Sequence, residues 1–390
     1  MLSGPGFGHL HSFHRAISPA EVLISKHMKE RNSSIELLKI VAMLMIIISH
    51  WVQTLYYDNS YIDFNDYILP LHLPTSNIQQ YTLTLLKYFG VLGNNIFLIA
   101  SSWFLLNDYK LNYRRIITLE FDVYIVSLLC LFSFSLFWMN DLSTELVIKS
   151  FMPTLMANNW FITCYFLLYF AHIHINRIIT NSSERELKYT CLTLIFFYGI
   201  FQMIIAGALY SSKIIEWISI YLCVGYMKIY KNEFVNSYKK NIILLLFSAI
   251  AILSIIFFTN IWGMLYPEKA LSLLKWDKDY NVFLIFISFS LFNIARTKTF
   301  TVRWVNFISA SLFLVYILHE NVFVRYYLRP FILEEIYNAG YYCIIIEVIL
   351  LLSMATWIIC IITSCCIKYI VKPIENYLIN KCHAYCHYKL

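Results

Sequence analysis

Residues 35–56 read IELLKIVAMLMIIISHWVQTLY, and this stretch decides the fold class of the chain. The run is apolar over a length that, wound as an α-helix, crosses about 30 Å of hydrocarbon. Only Glu36, Lys39 and His50 interrupt it with ionisable side chains. The stretch therefore predicts a transmembrane helix.

Nine further apolar runs follow along the chain. The predicted spans are 35–56, 83–106, 116–138, 155–175, 188–210, 214–230, 241–262, 281–295, 303–327 and 341–370. Transmembrane β-strands would instead show alternating polar and apolar residues over about ten positions. Hydrophobic residues make up 59% of the chain and charged residues 14%. In soluble domains, roughly a quarter of all residues are charged. We predict an all-α polytopic membrane protein with about ten transmembrane helices.

The distribution of Lys and Arg predicts the orientation of these helices. If the N-terminus is inside, 21 of the 30 basic residues fall on the inner side and 8 on the outer side. Positive charge accumulates on the cytoplasmic side of membrane proteins, so we expect a multi-pass protein of the cell membrane with both termini in the cytoplasm. The net charge of +7 is then a topology signal, and we expect the lipid bilayer, and no nucleic acid, as a partner.

This topology gives three expected regions. Residues 1–30 are predicted to be a disordered cytoplasmic leader, residues 31–372 the ten-helix membrane domain, and residues 373–390 a cytoplasmic tail.

Two ionisable residues share one face of the first helix. Lys39 and His50 are eleven residues apart, which places them about 20° from a common face and roughly 16 Å apart along the axis. Ionisable groups inside a membrane are costly and often functional. The structural alternative is that Lys39 extends to the inner headgroups while His50 makes a hydrogen bond between helices.

A second polar cluster lies in the ninth span at His319, Glu320 and Arg325. His319 and Glu320 are predicted at about the depth of His50, so the three side chains favour one shared site. Glu320 would pair with a His or with Arg325, because buried charges need partners. Two His and one Glu are also metal-ligand types. Spacing does not show that they converge, and we expect no metal.

Two further segments have open interpretations. The basic residues Arg114 and Arg115 follow the second span. They either mark topology alone or bind a polyanionic nucleotide, because the planar guanidinium group of Arg forms paired hydrogen bonds with phosphate. Trp160 and Tyr165 at the start of the fourth span are either interfacial anchors or stacking residues of a sugar pocket.

Four segments of the sequence together resemble a known family. The run Ile35 to His50, with a basic residue followed by ten residues and a His, resembles the opening helix of the acyltransferase family 3 membrane proteins. The stretch from Asn95, the segment with Trp160, and the segment from Tyr316 to Asn321 resemble further landmarks of that family. Two positions depart from the pattern. Lys39 stands where Arg is usual, which puts bidentate binding there in doubt, and Ser102 stands where Gly is usual.

The resemblance implies a ten-helix enzyme that transfers an acyl group, most simply acetyl, from cytoplasmic acyl-CoA to a hydroxyl of a surface-polysaccharide or lipid-linked sugar. His50 would be the general base, with Glu320 orienting His50 or His319. The expected substrate-binding residues are Lys39, Arg114 and Arg115 for the coenzyme phosphates, together with Asn95, Trp160, Tyr316 and Asn321. Acyl-CoA is a donor substrate, and no permanently bound cofactor is expected. Direct transfer and an acyl-His intermediate both fit these residues.

Two other functions remain open. A membrane exporter or flippase of a glycan or lipid-linked sugar would also need an aromatic and polar interior, but inverted repeats and helices broken at Gly or Pro, which many transporters have, are not evident in the sequence. A non-catalytic scaffold among polysaccharide-assembly proteins, which are expected as further partners, would leave the buried His and Lys unexplained.

Overall fold

The computed structural model describes residues 31–55, 77–139, 142–156, 158–204, 213–265 and 281–387. These ranges are helical and contain no strand, so the predicted all-α fold class is confirmed. The predicted leader at 1–30 lies outside the described residues.

The helices are α1 Ser33–Thr54, α2 Asn77–Leu105, α3 Tyr113–Phe137, α4 Thr144–Phe151, α5 Trp160–Asn181, α6 Glu184–Ile195, α7 Lys213–Tyr230, α8 Asn232–Asn236, α9 Tyr238–Leu265, α10 Val282–Thr297, α11 Arg303–Ser309, α12 Leu312–His319, α13 Arg329–Asn338 and α14 Ile345–His387. A π-helical turn, Phe196–Phe201, continues α6 to Ile204, and another, Val324–Leu328, leads into α13. A 3₁₀ turn, Tyr341–Ile344, precedes α14.

Seven helices of the described residues are long and apolar enough to cross a membrane, namely α1, α2, α3, α5, α6, α9 and α14. Three of the ten predicted spans do not reach this standard, and one of these, the ninth, passes only as a bent pair of helices. Helix α7 carries three charged residues over its 18 positions, and α10 has only 16 residues. The chain is thus a polytopic membrane protein, while the count of ten spans stays a prediction. Helix α14 also continues through part of the predicted tail to His387.

The predicted ninth span is not one continuous helix. Its two halves, Arg303–His319 and Val324–Asn338, meet at a bend of 62°. At the bend, the side-chain oxygen of Asn321 accepts a hydrogen bond from the backbone N–H of Phe323 at 3.1 Å. Such an Asx turn competes with the helical hydrogen bonds of the backbone, which explains why the helix stops after His319.

Helix α1 lies at the centre of the bundle, where it packs against α2, α10, α11, α12, α13 and α14. Glycines on α2 allow its closest contact. A Cβ atom on Gly93 would lie 2.6 Å from the carbonyl oxygen of Ala42, and one on Gly90 would lie 2.5 Å from Ser49 Oγ. Small residues let membrane helices approach in this way. Ser49 Oγ also donates to the Lys87 carbonyl at 2.7 Å, so the turn of α1 next to His50 is fixed to α2.

Candidate active site

His50, His319 and Glu320 meet where the end of α1 faces the bend after α12. His50 Nδ1 lies 3.1 Å from His319 Nε2 and 3.0 Å from Glu320 Oε1. The centroids of the two imidazole rings are 5.3 Å apart. The structure therefore brings the three predicted catalytic side chains into direct contact.

The hydrogen bonds determine which ring nitrogens carry protons. His319 Nδ1 lies 2.7 Å from the carbonyl oxygen of Val315, and a carbonyl only accepts, so His319 Nδ1 carries the proton. In neutral His319 the Nε2 atom is then an acceptor. His50 Nδ1 faces that acceptor and the Glu320 carboxylate, so His50 Nδ1 also carries a proton. The free lone pair of neutral His50 is therefore on Nε2.

Two arginines hold the Glu320 carboxylate. Arg329 donates to Glu320 Oε1 at 2.7 Å, and Arg325 lies 3.8 Å from Oε2. Glu320 and Arg329 are buried, with 4% and 3% of their surfaces exposed. The sequence prediction named Arg325 as a partner but missed Arg329, which is the nearer of the two. Its spacing from Glu320 gave no signal, because about nine residues of regular helix place two side chains on opposite faces.

The other two residues predicted from this segment are buried beside the cluster. The ring of Tyr316 stands edge-on to His319, with centroids 5.5 Å apart, and lies 5.0 Å from Phe161. Asn321 uses its side-chain oxygen to cap the bend. Their expected contact with substrate stays a prediction, and the structure adds a positioning role for both.

Two cavities adjoin the cluster and share Arg325 and Tyr326. The first, of about 20 Å³, is lined by His50, Gln53, Thr54, Glu320, Arg325, Tyr326 and Arg329. The second, of about 120 Å³, is lined by Lys149, Met156, Asn158, Trp160, Val322, Arg325 and Tyr326. Trp160 and His50 therefore line two adjoining cavities, which together are called the crevice. The choice between an anchor and a stacking residue for Trp160 stays open.

Lys39 belongs to a separate polar group nearer the start of α1. Its Nζ atom lies 2.7 Å from Glu36 Oε2, and Ser309 Oγ donates to the same oxygen. The helical rise between Lys39 and His50 amounts to about 16 Å, so Lys39 does not belong to the cluster of His50, His319 and Glu320.

Arg114 and Arg115 lie at the start of α3, and both are exposed. The Arg115 guanidinium donates to the Tyr165 hydroxyl at 2.7 Å and lies 5.4 Å from the centroid of the Tyr169 ring. Tyr165, which the sequence assigned to an anchor or a sugar pocket, therefore orients a predicted phosphate-binding residue.

Asn95 is buried in α2 with 1% of its surface exposed, and its side-chain Nδ2 has no hydrogen-bond partner among the described residues. An unsatisfied buried amide is uncommon and calls for a ligand, a water or a catalytic role. Its expected role in substrate binding stays a prediction.

A metal ion would be the alternative use of the cluster. One ligand atom each of His50, His319 and Glu320 lies within 4.8 Å of the others. The Glu320 oxygen that faces His50 already accepts a hydrogen bond from Arg329, and the fixed positive charge of that guanidinium opposes a cation. The protons assigned above satisfy these contacts without one.

Comparison with known proteins gives one match. A family model described as an acyltransferase domain matches residues 32–371. No curated protein and no solved structure matches the chain. The matched range begins just before α1 and ends within α14, so it contains every site residue described above.

Proposed function

The chain belongs to acyltransferase family 3, and on that premise we propose that it is a membrane O-acyltransferase acting on sugars. The donor is cytoplasmic acyl-CoA, with acetyl as the transferred group. The acceptor is a hydroxyl of a surface-polysaccharide or lipid-linked sugar. The observation that carries this proposal is the contact of His50 Nδ1 with the Glu320 carboxylate at 3.0 Å.

His50 supplies the base that the reaction requires. A sugar hydroxyl is a weak nucleophile until its proton is removed. His50 Nε2, which holds the free lone pair, takes this proton as the hydroxyl oxygen attacks the thioester carbonyl. The carbon–sulfur bond breaks as the tetrahedral intermediate collapses, and the proton on Nε2 passes to the departing thiolate of the coenzyme.

Glu320 and His319 act on His50. The Glu320 carboxylate holds His50 in the tautomer with a proton on Nδ1 and stabilises the imidazolium formed during the reaction, as a carboxylate does in hydrolase triads. His319 accepts from the same Nδ1 and is itself fixed by the Val315 carbonyl. Arg329 keeps the carboxylate in place.

Acyl-CoA and the sugar approach His50 from opposite ends of α1. Lys39, Arg114 and Arg115 sit near the start of α1 and α3, where they meet the phosphates of the coenzyme. The thioester arm then extends along α1 toward His50. The crevice with Arg325, Tyr326 and Trp160 takes the sugar, whose apolar face stacks on an aromatic ring. This arrangement rests on the separation of Lys39 and His50 by about 16 Å of helix.

Mass spectrometry of the surface glycan from cells with and without the gene tests the proposal. We expect a glycan of unchanged length that lacks the mass of one acyl group per modified sugar when the gene is deleted. Loss of the polymer itself would contradict the proposal and favour export. A glycan with unchanged acylation in the deletion strain would contradict acyl transfer to sugars.

A further inference from the structure

Two cations flank one indole ring at the end of the bundle away from His50. Lys228 Nζ lies 4.8 Å and Arg296 Cζ lies 4.6 Å from the centroid of the Trp103 ring. These residues come from the ends of α7, α10 and α2. The backbone N–H of Ser33 donates to the Phe300 carbonyl at 2.8 Å, so this is the end at which α1 begins.

Neither cation contacts a carboxylate within the described part of the chain. Lys228 Nζ donates to the Trp103 carbonyl at 2.7 Å and to Asn107 Oδ1 at 3.1 Å. Arg296 donates to Asn236 Oδ1 at 2.5 Å and to the Val235 carbonyl at 3.3 Å. Its Nε atom is buried and has no hydrogen-bond partner. All of these acceptors are neutral, so the two positive charges lack a counter-ion and repel one another.

This pattern differs from that of a neighbouring cation. Lys231, one residue beyond α7, lies 2.6 Å from the Glu184 carboxylate. The lack of a carboxylate at Lys228 and Arg296 is therefore a property of these two positions rather than of this end of the molecule.

An apolar cavity of about 380 Å³ is lined by Met227, the residue that precedes Lys228 in the chain. Its walls come from α2, α6, α7, α9 and α10, with Ile99, Ile220, Val224 and Phe289 among the lining residues. On α7 the lining runs from Glu216 to Met227, a distance of about 16 Å along the helix axis. One acyl chain crosses half of a hydrocarbon core of about 30 Å, which is a similar length.

The cavity and the cations are aligned on three helices. Trp103 follows Ile99 by four residues on α2, and Lys228 follows Val224 by four on α7. Arg296 follows Phe289 by seven on α10. Spacings of four and seven residues keep side chains on one helix face. Each helix therefore presents an apolar residue to the cavity and, one or two turns nearer the bundle end, a member of the cation–indole group.

The cavity is separate from the candidate active site. Trp217, next to the cavity-lining Glu216, packs on the other side against Trp160 and Phe161, with ring centroids 6.1 Å and 4.8 Å away. An occupant of the cavity is thus divided from the crevice by an aromatic wall.

From these observations we infer that the molecule holds one anionic phospholipid at this place. The phosphate pairs with Lys228 and Arg296 beside the Trp103 ring, and one acyl chain fills the cavity lined by Ile99, Val224 and Phe289. The membrane supplies hydrocarbon at the depth of the cavity and headgroups at the ends of the helices. Basic pockets between membrane helices are known to select anionic headgroups. A soluble nucleotide would satisfy the cations but leave the apolar cavity empty.

Native mass spectrometry of the purified full chain, titrated with phosphatidylglycerol or phosphatidylcholine of identical acyl chains, tests the inference. We expect the wild-type protein to prefer phosphatidylglycerol by about tenfold. The Lys228→Gln/Arg296→Gln protein should lose this preference. The matched control, Lys231→Gln/Lys239→Gln, removes two charges from the same end and should retain it. An equal preference in both double variants would overturn the inference.

A second variant and a competitor separate the lipid from other phosphates. Ile220→Trp fills the cavity and should weaken binding of both lipids while the cations remain. Inorganic phosphate and adenosine 3′,5′-bisphosphate should not displace phosphatidylglycerol at concentrations in excess of the lipid. Displacement by either soluble anion, or unchanged lipid binding in a folded Ile220→Trp protein, would contradict a lipid site. Because none of these readouts measures acyl transfer, their failure is independent of the proposed enzyme activity.

Discussion

At the scale of single residues, the direction of one hydrogen bond decides the chemistry of the site. The Val315 carbonyl accepts from His319 Nδ1, which leaves His319 Nε2 as an acceptor and places a proton on His50 Nδ1. The basic nitrogen of His50 is therefore Nε2. The depth of His50, His319 and Glu320 in their spans was sufficient to predict one shared site. Which atom donates and which accepts in each hydrogen bond could be determined only from the three-dimensional structure.

The role of the carboxylate is tested by Glu320→Gln. The amide keeps the size of the side chain but lacks the charge that stabilises imidazolium, so we expect kcat to fall by about 10²-fold or more, with the KM for acyl-CoA unchanged. Glu320→Asp keeps the charge, so its kcat should lie between those of Glu320→Gln and the wild type. Steady-state transfer assays on the purified proteins measure both parameters, and a kcat of Glu320→Gln within twofold of wild type would refute the role.

The role of Lys39 in donor binding is tested by two substitutions. Lys39→Arg keeps the positive charge next to Glu36 and should be tolerated. Lys39→Ala removes a charged hydrogen-bond donor and should raise the KM for acyl-CoA by about tenfold. Lys239→Ala, an exposed lysine at the same end of the bundle, is the control. An unchanged KM for acyl-CoA in the Lys39→Ala protein would exclude a contact between Lys39 and the coenzyme.

At the scale of elements, the position of His50 depends on how closely α1 and α2 pack and on where the ninth span bends. The bend after α12 puts His319 and Glu320 at a helix end facing α1. Apolar periodicity predicted a continuous helix there, because the competing Asx turn of Asn321 is a local hydrogen bond that hydropathy does not register. The sequence also offered no pattern that singles out Gly93 as a contact with the backbone of α1.

The α1–α2 contact is tested by Gly93→Ala. The added Cβ would lie 2.6 Å from the Ala42 carbonyl, and backbone on both helices must shift, at a cost of about 1–3 kcal/mol in unfolding free energy. We expect a lower thermal midpoint for the purified protein and reduced transfer. In Gly225→Ala the atom closest to the added Cβ is the flexible Cδ1 of Ile179. The thermal midpoint of this control should therefore fall less. Equal midpoints for Gly93→Ala and wild type would contradict the close approach.

At the scale of the whole molecule, two polar groups, one around Lys39 and one around His50, lie nearer opposite ends of α1. The helical fold and most span positions could be predicted from the sequence, because burial in lipid imposes long apolar runs. Contacts between distant segments, such as that of Ser309 with Glu36, could not be predicted. Neither could the pairing of Arg329 with Glu320, which depends on the bend after α12. Arg329 is one of the eight basic residues that the sequence places on the outer side, and basic residues near span ends normally report topology.

The central claim is that His50 is the base of an acyl transfer, and one measurement tests it most directly. Cells lacking the gene are complemented with wild type, His50→Ala, or His174→Ala, an exposed histidine of α5, and the acyl content of the surface glycan is determined by mass spectrometry at matched membrane levels of protein. We predict that His50→Ala inserts normally but restores no acylation, because loss of a general base lowers the rate by about 10²–10⁴-fold, whereas His174→Ala restores it. Wild-type acylation by a well-expressed His50→Ala protein would contradict the claim.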